Sequence, residues 1–161
     1  MRIGLGGGCH WCTEAVFQSL RGVARVEQGF IRSTPPFEAW SEAVIVHFDP
    51  AVIGLDTLIE VHVRTHAATK QHALRHKYRS AVYVFDDDQE AAAQISLARL
   101  QPEYDRQLIT RVLPFAAFRA SLQRYRDYYR SNPQRPFCQR HIDPKLDLIQ
   151  RDFARYTERQ C

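Results

Sequence analysis

The chain lacks most of what would mark a membrane, secreted or nucleic-acid-docking protein. None of its 161 residues falls in an apolar run long enough to cross a bilayer. No signal peptide opens it, so the default expectation is a cytoplasmic protein with no membrane partner. Only four cysteines occur, Cys9, Cys12, Cys138 and Cys161. They are too few and too unevenly spread for a secreted disulfide framework, and a reducing compartment with catalytic thiols fits better. Repeats, low-complexity tracts and long linkers are absent, so residues 1–161 are expected to form one domain, read as a monomer. The net charge of +4 is modest. Arginine is densest from Arg119 to Arg159, but no basic stripe with a docking motif accompanies it, so no nucleic-acid partner is expected. Attraction of an anionic substrate stays open. The glycines at 6–8 lack the Lys-Ser/Thr ending of a phosphate loop.

What is present is ordinary globular composition, 45% hydrophobic and 25% charged. The patterning predicts strands over 2–6, 23–30, 43–48, 80–85 and 109–112. Helices are expected over 10–21, over 57–65 with Asp56 as N-cap, over 87–100, over the arginine- and tyrosine-rich 117–129, and over 144–156. Gly22 should stop the first helix. Residues 33–36 read as a turn and 67–77 as a basic, histidine-rich loop. No clean βαβαβ run occurs, which excludes a doubly wound dinucleotide fold. An α/β (α+β) domain is expected instead.

The most informative stretch is Gly6 to Phe17. A short apolar strand runs into three glycines, and Cys9 stands where an amphipathic helix begins. The N–H groups and dipole of a helix N-terminus favour a thiolate there. Cys12 lies one helical turn on. This suggests a reactive nucleophile with a possible resolving partner. A structural metal site is the alternative, but one Cys-x-x-Cys without a second close Cys/His pair supports zinc poorly. No metal or resident cofactor is expected. Inert buried thiols are the remaining alternative.

These residues resemble the A-type peptide methionine sulfoxide reductases. Gly8-Cys9-His10-Trp11 stands where that family typically has Gly-Cys-Phe-Trp. The likeness continues through Glu14, Phe17 and Leu20-Arg21-Gly22-Val23, then Ser41-Glu42-Ala43-Val44 with Phe48-Asp49-Pro50. It resumes at Leu58-Ile59 to His66, Tyr78-Arg79-Ser80, Asn132-Pro133 and Cys138, and so spans nearly the whole chain. The resemblance implies a two-layer sandwich of a mixed sheet and flanking helices with a ferredoxin-like core. It also implies a mechanism. Cys9 attacks the sulfoxide sulfur, and Glu42, if buried, supplies a proton to the oxygen. Tyr78 hydrogen-bonds that oxygen, and Trp11 forms an apolar wall. The thioether product departs and Cys9 remains as a sulfenic acid, a second cysteine condenses with it, and an external thiol such as thioredoxin reduces the disulfide. Cys138 matches the family's recycling position and is favoured narrowly over Cys12. Cys161 reads as tail or shuttle.

The departures from the family cluster around the expected pocket. His10 replaces a phenylalanine. Phe37 falls where the family has a second tyrosine, and both are read as substrate-binding positions. The segment from Phe37 to Glu42 is short, and Ala73 stands for an acidic residue. Leu122-Gln123-Arg124-Tyr125-Arg126 is an eroded box. The expected substrate is S-epimer methionine sulfoxide, free or in a peptide. With His10, His72, Arg75, His76 and Lys77 nearby, a small anionic sulfoxide is the alternative. A general thiol–disulfide oxidoreductase or a redox-sensing module using Cys9 and Cys12 is the further one.

Overall fold

The apolar start at Ile3 and the alternating run Ala43–Phe48 become neighbouring central strands. The computed structural model describes residues 1–71, 75 and 77–157. Six strands form one sheet: β1 (Arg2–Gly6), β2 (Val23–Arg32), β3 (Ser41–Phe48), β4 (Ala81–Val84), β5 (Arg111–Pro114) and β6 (Ala117–Ala120). Their order is β5-β4-β1-β3-β2-β6. Only β4 and β5 pair in parallel; the remaining neighbours are antiparallel. The helices are α1 (His10–Gln18), α2 (Leu55–Arg64), α3 (Asp87–Leu100), the short α4 (Tyr128–Ser131) and α5 (Asp143–Asp152), with a π-helical turn at Cys138–Ile142 leading into α5.

The first four strands and two helices make a ferredoxin-like core. β3 lies between β1 and β2, and β1 lies between β3 and β4. The period of two divides β3 between the sheet's faces. Val44, Val46 and Phe48 join Phe17, Leu58, Ile59, Leu97 and Ile149 in the main core under the helices. Ala43 and Ile45 face the other side, in a smaller cluster with Ile31, Tyr83 and Leu113. Burial on two faces explains why both central strands read as nearly continuous apolar runs.

Several expected boundaries move. α1 ends at Gln18, three residues early, and Leu20 instead bridges to Thr157. Gly54, not Asp56, is the N-cap of α2, with Asp56 inside its first turn. The strand expected at 109–112 runs from Arg111 to Pro114. The helix expected at 144–156 begins at Asp143 and closes at Asp152, followed by a 3₁₀ turn.

The largest correction concerns 117–129, which is not one helix. Residues 117–120 are β6, paired to the outer edge of β2 from Gly29↔Ala120 to Arg32↔Ala117. The long strand β2 leaves an edge that β6 completes. Gly29 permits the approach, since a Cβ there would collide with the Arg119 carbonyl and the Phe118 ring. Beyond β6 the chain makes a 3₁₀ turn at Gln123–Tyr125 and then α4.

Candidate active site

The strand-to-helix junction places Cys9 at the N-cap of α1, in extended conformation. Its carbonyl accepts the N–H groups of Cys12 and Thr13 at 3.1 and 3.2 Å. Behind the junction the His66 ring fills the space a Cβ on Gly7 would need. His62 Nε2–H donates to the Gly6 carbonyl at 2.7 Å. The Cys9 thiol is held below its ordinary range. The largest cause is a hydrogen bond from the Cys12 thiol, and the N–H groups of Trp11 and Cys12 add to it against the cost of burial. Cys12 is pushed up by the same contact and by burial. Cys9 is therefore the thiolate of the pair and Cys12 the thiol. Cys138 is fully buried in the apolar cluster that holds Cys12, Ala15 and Ile142. Its thiol is pushed up by burial. Lys145 of α5 reaches the far side of this centre, lining a small cavity with Cys9, Cys12, His62 and His66. Its ammonium donates to the Thr65 carbonyl.

On the other side of Cys9 opens a cavity of about 540 Å³. Its wall carries Cys9, His10, Trp11, Glu42, Lys77 and Tyr78, all singled out in the sequence. The start of β3 brings Glu42 and Tyr78 together. The Glu42 N–H donates to the Lys77 carbonyl at 2.9 Å. Ser41 Oγ donates to the same carbonyl at 2.9 Å and accepts the Arg79 N–H at 2.8 Å. Glu42 itself is buried. Its Oε1 accepts the His10 backbone N–H at 3.3 Å and faces His10 Nε2 at 3.3 Å. Its Oε2 lies 3.9 Å from Lys77 Nζ. Burial holds the His10 imidazole below its usual value. The Lys77 ammonium is held up, chiefly by its hydrogen bond with Tyr78.

Trp11 stacks on Tyr128, with centroids 4.1 Å apart and planes 4° from parallel, and Phe137 stands edge-on to it at 5.5 Å. Buried Glu14 arranges this wall. It accepts the backbone N–H groups of Asp127 (3.0 Å) and Tyr128 (3.2 Å) and the Gln28 amide (3.0 Å).

Two expected pocket residues stand elsewhere. Phe37 does not line the cavity. It packs with the cluster on the opposite face of the sheet, beneath the guanidinium groups of Arg79 and Arg111, because the turn from Ser33 folds it back over the odd residues of β3. Arg75 is a staple rather than a cavity cation. Its guanidinium donates to the carbonyls of Lys70, Gly7 and Tyr78. His72, Ala73, His76 and Cys161 lie outside the described residues. The far wall holds Leu122 and Tyr125, from the eroded box read near the pocket, and Arg119, which escapes the sequence reading because it depends on β6, where the pattern suggests helix.

The sequence matches the profile of the peptide methionine sulfoxide reductase family over residues 1–157. It is 34% identical to the peptide methionine sulfoxide reductase MsrA of Chromobacterium violaceum, over 93% of this chain and 94% of that one. With the MsrA of Thermus thermophilus it shares 31%, over 92% and 93%. The fold is similar to that of Mxr1 from Saccharomyces cerevisiae in its reduced form, with a TM-score of 0.74 and 21% identity over 88% of this chain and 90% of that one. A second Mxr1 structure, in complex with Trx2, matches with a TM-score of 0.63 and 21% identity over 74% and 78%. The chain belongs to the peptide methionine sulfoxide reductase family, and it is an oxidoreductase of the MsrA type.

Proposed function

We propose that the chain acts as one catalytic unit over residues 1–161, reducing S-epimer methionine sulfoxide to methionine with Cys9 as nucleophile. The observation that carries this reading is the shared wall of one cavity, where Cys9 meets Glu42 and Tyr78. The Cys9 thiolate attacks the sulfoxide sulfur. As the S–O bond breaks, the oxygen takes a proton from the Glu42–His10 pair and a hydrogen bond from Tyr78. Trp11 and the aromatic residues behind it hold the methyl side of the substrate. The thioether departs and Cys9 retains the oxygen as a sulfenic acid. A thiol then attacks the Cys9 sulfur, water leaves, and a disulfide forms.

Sequence resemblance favours Cys138 as that thiol. The contact between the Cys9 and Cys12 thiols favours Cys12 for the first disulfide, with Cys138 buried in the same cluster as Cys12. A dithiol reductant of the thioredoxin class reduces the product disulfide by exchange. The complex of Mxr1 with Trx2 supports that choice. Such recycling suits a cytoplasmic setting, and among the described residues no helix is long and apolar enough to cross a membrane.

The test is thiol counting with mass mapping after the fully reduced protein meets S-epimer methionine sulfoxide. Loss of two thiols per methionine formed, with Cys9 bonded to Cys12, is the expected result. A Cys9–Cys138 bridge would return the resolving role to Cys138. No thiol loss with any sulfoxide would remove the reductase reading and leave general thiol–disulfide exchange.

A further inference from the structure

One wall of the cavity carries a cation that the sulfoxide chemistry does not use. Arg119 projects from β6 opposite Phe30 of β2. Its guanidinium lies 5.0 Å from the Phe30 ring centre and 4.9 Å from that of Trp40. Two aromatic faces thus fix its position in the cavity wall. Among the described residues it has no carboxylate partner. The cavity wall holds one acid, Glu42, and Lys77 stands beside it at 3.9 Å. Burial lowers the proton affinity of His10, so it adds no lasting cation to this wall. Arg119 is thus the lining cation with no carboxylate beside it, and Phe30 separates its charge from the sulfoxide-reducing groups: the ring meets His10 edge-on at 5.2 Å and Arg119 at 5.0 Å. A substrate with its sulfoxide beside Cys9 and a single anionic group on the Arg119 side would give that guanidinium its partner.

We propose that Arg119 anchors a carboxylate subsite, and that the preferred substrate is a methionine sulfoxide bearing its own free α-carboxylate. This rests on the sulfoxide reductase reading above. A planar guanidinium matches a carboxylate in two-pronged geometry, and charge-assisted hydrogen bonds of that kind are stronger than neutral ones. The same carboxylate is offered by the free amino acid and by a C-terminal residue of a peptide. An internal residue of a protein does not offer it.

The experiment compares N-acetylmethionine S-sulfoxide with its N-methylamide in the wild-type protein, Arg119→Gln and Arg119→Lys. Wild type should favour the acid about tenfold in kcat/KM, mostly through KM. The acid-to-amide ratio should fall towards one in R119Q and remain intermediate in R119K. Rising salt should lower the ratio. Equal use of both substrates by wild type, or an unchanged ratio in R119Q, would overturn the subsite. Free methionine S-sulfoxide against a tripeptide ending in the same residue then separates the two sources. A second measurement does not require turnover: titration of Cys9→Ser protein with N-acetylmethionine and its amide. Preferential binding of the acid that R119Q abolishes supports the subsite even if no sulfoxide is reduced. Equal binding overturns it independently of the reductase reading.

Discussion

His10 Nε2 faces Glu42 Oε1 at 3.3 Å, while the other ring nitrogen, Nδ1, is committed to the Gly29 carbonyl at 2.8 Å. A carbonyl only accepts, so Nδ1 carries the hydrogen and a neutral ring turns its lone pair towards Glu42. The geometry suits a proton held between the two groups, on the same cavity wall as Cys9.

Removing either member should expose that role. Glu42→Gln is expected to lower the rate of sulfoxide reduction by about a hundredfold or more, the usual scale for a positioned proton donor. Its effect on disulfide exchange between Cys9 and an added oxidant should stay within about threefold. His10→Phe should lower kcat about tenfold, with the deficit growing as pH rises, because the acceptor that helps retain the proton is gone. A kcat–pH profile checks both. A wild-type profile in H10F would leave the ring no part in proton supply.

Cys9 should alkylate faster at neutral pH than an ordinary thiol. Its lowered pKa means that the thiolate appears as pH rises through a midpoint below the usual cysteine range. The Cys12 thiol is the largest cause. Cys12→Ala should therefore move the midpoint of iodoacetamide reactivity upward, and Cys12→Ser, which keeps a donor, should move it less. An unchanged midpoint in C12A would assign the effect to the helix N–H groups alone.

Acid should loosen the fold before the carboxylates titrate. Buried His62 keeps its neutral form down to about pH 4 in the folded protein, because burial disfavours the charge. Unfolded, it takes up a proton near pH 6.5. The unfolded state thus binds more protons between those values, and stability falls as pH drops through that window, by about 3 kcal/mol for this residue. His66, also pushed down by burial, acts in the same direction. His62→Gln can keep the donor to Gly6 without the titration. Its urea midpoint should depend less on pH between 6.5 and 4.5 than that of wild type.

Glu14→Ala should cost about 3 kcal/mol in urea unfolding, since it strands two backbone N–H groups and removes one of the two acceptors of the Gln28 amide. It should also raise KM, because Tyr128 loses its seat against Trp11. A variant with normal KM would separate the aromatic wall from substrate binding.

Cys9 at a glycine-rich strand end, with Cys12 one turn later, was legible in the sequence because those relations are local: a few residues decide both the junction and the helix dipole acting on the thiol. Glu42 and Tyr78 were legible only through family likeness. Nothing in the chemistry of a glutamate before an apolar strand says that its backbone will bond to the Lys77 carbonyl. Phe37 shows the reverse. Its place in the sequence suggests the pocket, but the turn from Ser33 and the two-residue period of β3 put it on the other face of the sheet. The stretch 117–129 carries no packing signal of its own, since its strand exists only because Gly29 leaves room on the edge of β2. The sequence by itself determined the nucleophile, the central strands and the composition of the core, all set by short-range pattern. Only the tertiary structure decided the charge and shape of the cavity, because pairings such as Phe30 with Arg119 and His10 with Glu42 join residues far apart in the chain.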